Sequence, residues 1–80
     1  MSDKFKVKIF VRELATVIRK KRKKLHLSQD EIAVRAEIDR TYINRIESGK
    51  VSISVLVAYK IAVALNTSLS RIMKEVEKNL

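Results

Sequence analysis

Residues 28–50, SQDEIAVRAEIDRTYINRIESGK, decide how this chain folds. Ser28 followed three residues later by Glu31 forms a capping box, which starts a helix at Gln29. Ile32, Ala33 and Ala36 give that helix an apolar stripe. Asp39 suits the N-cap of a second helix and Gly49 its stop. Only Glu37 and Ile38 lie between the first helix and that cap, so the two helices meet in a sharp turn.

The second helix divides cleanly by angle. With Arg40 at zero and about 100° per residue, Asn44 falls near 40°, Ser48 near 80°, Thr41 near 100° and Arg45 near 140°. Tyr42, Ile46 and Ile43 occupy the opposite side, and Glu47 sits near 340°, at the border between them. Amphipathic surface helices are common, but solvated faces usually carry Lys and Glu. This one carries two Arg, an Asn and a Thr. Arg can grip guanine bidentately, Asn can grip adenine, and Thr can offer a hydroxyl or meet a thymine methyl.

Outward from this segment the chain reads as all-helical. It has no Pro and one Gly in 80 residues, too little punctuation for a strand-and-turn fold. Phe10, Leu14, Val17, Ile18 and Leu25 follow helical spacing, which predicts a first helix over about 10–25. Residues 1–9 alternate lysine with Phe5, Val7 and Ile9 and form a basic N-terminal arm. That arm could lie in a groove of DNA, pair with a second copy, or be the frayed start of helix 1. Ser54 caps a fourth helix over about 55–65, Asn66 takes a left-handed exit, and Ser68 caps a fifth over about 69–78. The whole is one domain with a small core.

Composition limits the functions available. The net charge is +9, and residues 1–50 hold 14 Lys and Arg against 7 Asp and Glu, while 51–80 hold 4 against 2. The excess lies with the two-helix segment and what precedes it, so a polyanion is the natural partner. RKKRKK at 19–24 cannot share one helix face; it reads as a solvated helix end that adds diffuse attraction to DNA. Zero cysteines and one histidine leave no metal site and no disulfide. No stretch is apolar enough for a membrane span or a signal peptide, which makes the cytoplasm the default location. There is no nucleophile–base pair and no phosphate-cradling glycine loop, hence no catalytic residue, cofactor or small-molecule ligand is expected.

Gln29-x-x-x-Ala33, then Ile38, Ile43, Ile46-Glu47 and Gly49-Lys50, resemble the lambda-repressor-like helix-turn-helix regulators, the XRE family. The resemblance runs over roughly residues 14–73, through Ile18, Arg22 and Leu27 upstream and Ile61-Ala62 and Ala64-Leu65 downstream. It implies a compact five-helix domain whose third helix enters the major groove of double-stranded DNA. Arg40, Thr41, Asn44 and Arg45 match the base-facing positions. Gln29, Tyr42, Ser48 and Lys50 are the expected backbone contacts, Gln29 from the start of helix 2, where anions are favoured. Arg22 and Glu47 resemble the pair that ties helix 1 to helix 3. Glu37 departs from the family pattern, which favours Gly at that turn, so an adjusted turn is expected.

The string DRTYINRIESGK followed by ISVLVAYKIAVAL looks like controller proteins of restriction-modification systems, small dimers that regulate their own gene and that of the endonuclease. Helix 4 carries Lys60 as its one charged side chain, and helix 5 continues with Leu69, Ile72, Met73 and Val76. So many apolar groups exceed what an 80-residue interior needs. A homodimer through residues 54–80 is therefore expected, with Leu56, Val63, Leu69, Ile72, Met73 and Val76 at the interface. Val55, Ala58, Tyr59 and Ala62 are assigned to the core, and Leu56, Val57 and Val63 elsewhere. The alternatives to an operator-binding regulator of this kind are a phage-type or toxin–antitoxin repressor, and a basic adaptor without sequence preference.

Overall fold

The chain is described over residues 3–80 by a computed structural model. Five helices follow one another: α1 Asp3–Lys24, α2 Gln29–Ala36, α3 Arg40–Glu47, α4 Val55–Ala64 and α5 Leu69–Lys78. There is no strand among the described residues. α1 runs along α5 and α3, α2 packs on α3 and α4, and α4 closes on α5.

One branched aliphatic side chain from every helix meets at the centre. Ile18, Ile32, Ile43, Ile61 and Ile72 are all but sealed from solvent, with Val76 beside Ile72 on α5. Each such burial stabilises the fold by about 1.5–3 kcal/mol relative to exposure. Their stiff χ1 torsions leave little rotamer freedom to lose. Leu14, Val17, Ala33, Ile46, Ala62 and Leu65 fill the space between them.

Helix starts follow the sequence closely. At α2 the Ser28 hydroxyl accepts from the Glu31 N–H at 3.0 Å, and the Ser28 N–H donates to the Glu31 carboxylate at 2.9 Å. That second bond, from the backbone, is the chief reason the Glu31 carboxyl titrates below the usual range. The cap's electrostatic contribution is therefore present at neutral pH and fades as acid drives the pH down through that lowered value. The other caps are one-sided: Ser54 and Ser68 accept from the N–H three residues on at 3.1 and 3.2 Å, and Asp39 from the Thr41 N–H at 2.8 Å.

Helix ends share one device. Each of the first four helices stops at a left-handed residue, His26, Glu37, Gly49 and Asn66, with φ of 58°, 56°, 74° and 55°. The next N–H then reaches back five residues: Leu27 to Arg22, Ile38 to Ala33, Lys50 to Arg45 and Thr67 to Ala62, at 2.9–3.3 Å. These are Schellman closures, in which Gly is the unstrained choice. The turn between α2 and α3 is thus not adjusted for Glu37; the backbone keeps the left-handed geometry and the side chain bears the strain. Glu37→Gly removes a penalty of about 1–2 kcal/mol, partly offset by the greater backbone freedom of unfolded Gly. A net gain of about 1 kcal/mol in urea unfolding is expected; equal or lower stability would mean that Glu37 makes compensating contacts.

One expectation is met and another needs correction. Of the three readings open for residues 1–9, the start of helix 1 is the one that residues 3–9 adopt, since α1 begins at Asp3 and runs unbroken; residues 1 and 2 lie outside the described residues. With no Pro or Gly to stop it, and Asp3 at the positive end of the helix dipole, the lysine-rich stretch propagates as helix. On α4, Val55 and Tyr59 are exposed, while Ala58 and Ala62 are buried as expected and Val57 leans on the core. The inward face of α4 is built from Ile61 and three small residues, Ala58, Ala62 and Ala64.

Candidate nucleic-acid interface

α3 is held from behind and open in front. Ile43 and Ile46 anchor it in the core, and Tyr42 packs half-buried against the cluster. Gly49 follows directly: its left-handed φ stops the helix, and a Cβ there would lie 3.5 Å from the Arg12 side chain of α1. Arg40, Thr41, Asn44, Arg45, Ser48 and Lys50 are all exposed. The structure thus brings the four expected base-reading residues to one open face and places Ser48 and Lys50 at its end.

Behind that face lies a buried ion pair. Arg22 donates from Nε to Glu47 Oε2 at 2.7 Å and from Nη2 to Oε1 at 2.8 Å, a bidentate fork. Its Nη1 donates to the Leu27 carbonyl at 2.8 Å. Glu47 is 3% exposed and Arg22 9%, so neither can be hydrated instead. The hydrogen bonds that Arg22 donates to Glu47 are the main reason the guanidinium titrates above its ordinary range. Arg19 adds a bond from Nη1 to the Glu47 carbonyl at 3.3 Å, tying α1 to the end of α3 a second time.

Gln29 links this pair to the open face of α3, a role that sequence reasoning missed. Its Nε2 donates to Glu47 Oε1 at 3.2 Å. Its Oε1 accepts from Asn44 Nδ2 at 3.2 Å and from Arg40 Nε at 3.4 Å. A continuous chain of polar contacts therefore runs from the Leu27 carbonyl in the core to two residues that face outward. The three Gln29 bonds span separations of 11 to 18 residues, and the only signal for them was that Gln29 opens α2 directly across the turn from α3. Arg40 also pairs with Asp30 at 3.4 Å; with both side chains well exposed, that contact is weak and easily exchanged for another acceptor.

The remaining cations of the 19–24 run divide between structure and solvent. Arg19 and Arg22 brace α3, Lys21 pairs with Glu75 of α5 at 3.1 Å, and Lys20, Lys23 and Lys24 stand in solvent.

Of the six residues expected at a dimer interface, Leu56 and Val63 are exposed, and Leu69 and Met73 are half-buried against the core. Ile72 and Val76 are 1% and 0% exposed within a single chain, so they are core residues and unavailable to a partner. Val55 and Tyr59, by contrast, are exposed. Val55, Tyr59, Val63 and Leu56 share an arc of about 100° on α4 and form a continuous apolar stripe.

Among the described residues, no group of His, Cys, Asp or Glu could hold a metal ion. No single described helix is long and apolar enough to cross a membrane.

A sharp two-helix unit with one helix locked and its outer face left polar defines the helix-turn-helix class. A family model described as helix-turn-helix matches residues 18–72, and the chain belongs to that family. It is 39% identical over 58 residues to the control protein C.MunI of a Mycoplasma species, spanning 72% of this chain and 78% of that protein. It is 36% identical over 59 residues to the ImmF control region 10 kDa protein of Bacillus phage phi105, spanning 74% and 66%. Its fold matches the restriction-modification controller protein C.Esp1396I, solved as a tetramer with its natural 35 base-pair operator. There the TM-score is 0.75 at 25% identity, covering 85% of this chain and 95% of that one.

Proposed function

We propose that the chain is a sequence-specific DNA-binding transcriptional regulator, not an enzyme, that binds a near-palindromic operator as a homodimer in the cytoplasm. The observation that carries this reading is the open face of α3. Arg40, Thr41, Asn44 and Arg45 project from a helix whose other side is immobilised by Ile43, Ile46 and the Arg22–Glu47 fork. In the major groove they serve as base contacts, while Gln29, Tyr42, Ser48 and Lys50 hold the sugar–phosphate backbone. The apolar stripe on α4 supports association, since exposed apolar patches mark protein interfaces. A two-fold dimer carries two copies of α3 about 34 Å apart, one turn of DNA.

Similarity to C.MunI and C.Esp1396I favours a controller protein that regulates its own gene and that of a restriction endonuclease. Similarity to the phage protein favours a second reading, a phage repressor. The two are separated by the neighbouring genes: methyltransferase and endonuclease genes beside an operator upstream of this gene support the controller, and phage lysogeny genes support the repressor.

The base-reading role is tested by Arg40→Ala. Preference is expected to relax at one position per half-site by about 1–3 kcal/mol, with other positions unaltered, in competition binding against singly substituted duplexes. An even loss on every duplex would demote Arg40 to a phosphate contact.

A further inference from the structure

The first turns of α1, residues 5–12, precede the family match and lie beside the exit from α3. Gly49 approaches Arg12 and Ala15 of α1, and the segment 49–52 forms a groove with α1 residues 5–12. Its apolar lining comes from Phe5, Val7, Ile9, Val11 and Val51, with Phe5 and Val7 exposed at its edge. Its charged lining is Lys8, Arg12 and Lys50, and no acidic side chain among the described residues lines it. Lys8 and Arg12 are four residues apart and share one helix face. Both are exposed, as is Lys50 at the end of the reading face.

We infer that the N-terminal turns of α1 extend the DNA interface: Lys8 and Arg12, continuing from Lys50, grip the sugar–phosphate backbone flanking the bases that α3 reads. The inference rests on the operator-binding reading above and adds to it a contact made outside the helix-turn-helix. Two observations select DNA as the occupant. The groove is continuous with the reading face through Lys50, and its charge is uniformly positive. Contacts of this kind are sequence-independent and fix register without reading bases. Each phosphate neutralised steepens the dependence of log affinity on log salt by about 0.9. Helical structure over 3–12 matters here, because a rigid helix presents the two cations at a fixed height beside Lys50, which a loose arm would not.

The test compares wild type with Lys8→Gln/Arg12→Gln, which removes both charges and keeps helix propensity. The probes are the duplex that wild type enriches from a random pool and a scrambled duplex of equal length, each titrated between about 50 and 200 mM salt. The variant is expected to bind both duplexes about tenfold or more weakly near 0.15 M salt, with a slope shallower by about 2 and an unchanged preference between them. An unchanged slope and affinity in a folded variant would overturn the inference. So would an unchanged slope accompanied by weaker self-association, which would assign the groove to a second copy of the chain. Failure of the operator-binding reading is distinct, because wild type itself would then show no preference between the two duplexes.

Discussion

Glu47→Ala is expected to lower the unfolding free energy of this domain by about 3 kcal/mol, the range for removing one partner of a buried ion pair. The loss has three parts. Arg22 keeps its charge in a site where it is 9% exposed, the fork of 2.7 and 2.8 Å disappears, and Gln29 loses the acceptor for its Nε2. For a domain of this size that corresponds to a fall in Tm of roughly 15 °C, read by circular dichroism. Arg45→Ala, on the open face of the same helix, stays within about 0.5 kcal/mol of wild type. Replacing both partners with apolar side chains, Arg22→Met with Glu47→Leu, restores most of the stability. It does not restore the bond that orients Gln29, and through it Arg40 and Asn44, so operator preference stays impaired. Equal stability of Glu47→Ala and wild type would show that the pair is hydrated in solution.

Leu56→Glu with Val63→Glu is expected to give a folded monomer whose operator binding is weaker by about 10³-fold or more. Both side chains are over half exposed in the single chain, so charging them leaves the core untouched. What they lose is the apolar stripe of α4, where a carboxylate buried against a second copy would lack a partner. A monomer offers one α3 and so one half-site, which forfeits most of the 10³–10⁷ margin that specific sites hold over random DNA. Sedimentation equilibrium and a DNA titration on the same sample read both effects. A variant that remains dimeric would move the interface off α4. Ile72→Glu is no substitute test, because Ile72 lies in the core of the single chain and its charging unfolds the domain.

How much of this was legible in the sequence depended on how far apart the interacting residues lie. Caps at Ser28, Asp39, Ser54 and Ser68 are read within three residues of themselves, and every one is present. The face of α3 follows from helical periodicity alone, and the family pattern supplied the Arg22–Glu47 pair. The Gln29 links did not follow, because they need two helices crossing at a distance that periodicity does not carry. The split of apolar residues on α4 and α5 failed for a related reason. A helix apolar nearly all round has no polar face to fix its rotation, so Val55 and Tyr59 could not be told from Ala58 and Ile61 by pattern. On α5 the apolar positions sit on one side, but which neighbour covers them is a tertiary fact. The start of α1 was hidden by alternation of lysine with Phe5, Val7 and Ile9, a period-two pattern that helix propagation from α1 overrides.

The most direct measurement is selection of binding sites from a random duplex pool by wild type and by Arg40→Ala in parallel. A dimeric reader built on α3 enriches a near-palindrome whose half-sites are about one helical turn apart. The variant then enriches the same spacing with one position per half-site relaxed. Recovery of no motif by wild type, with binding that weakens steeply in salt on every duplex alike, would contradict sequence-specific regulation and leave a basic adaptor in its place.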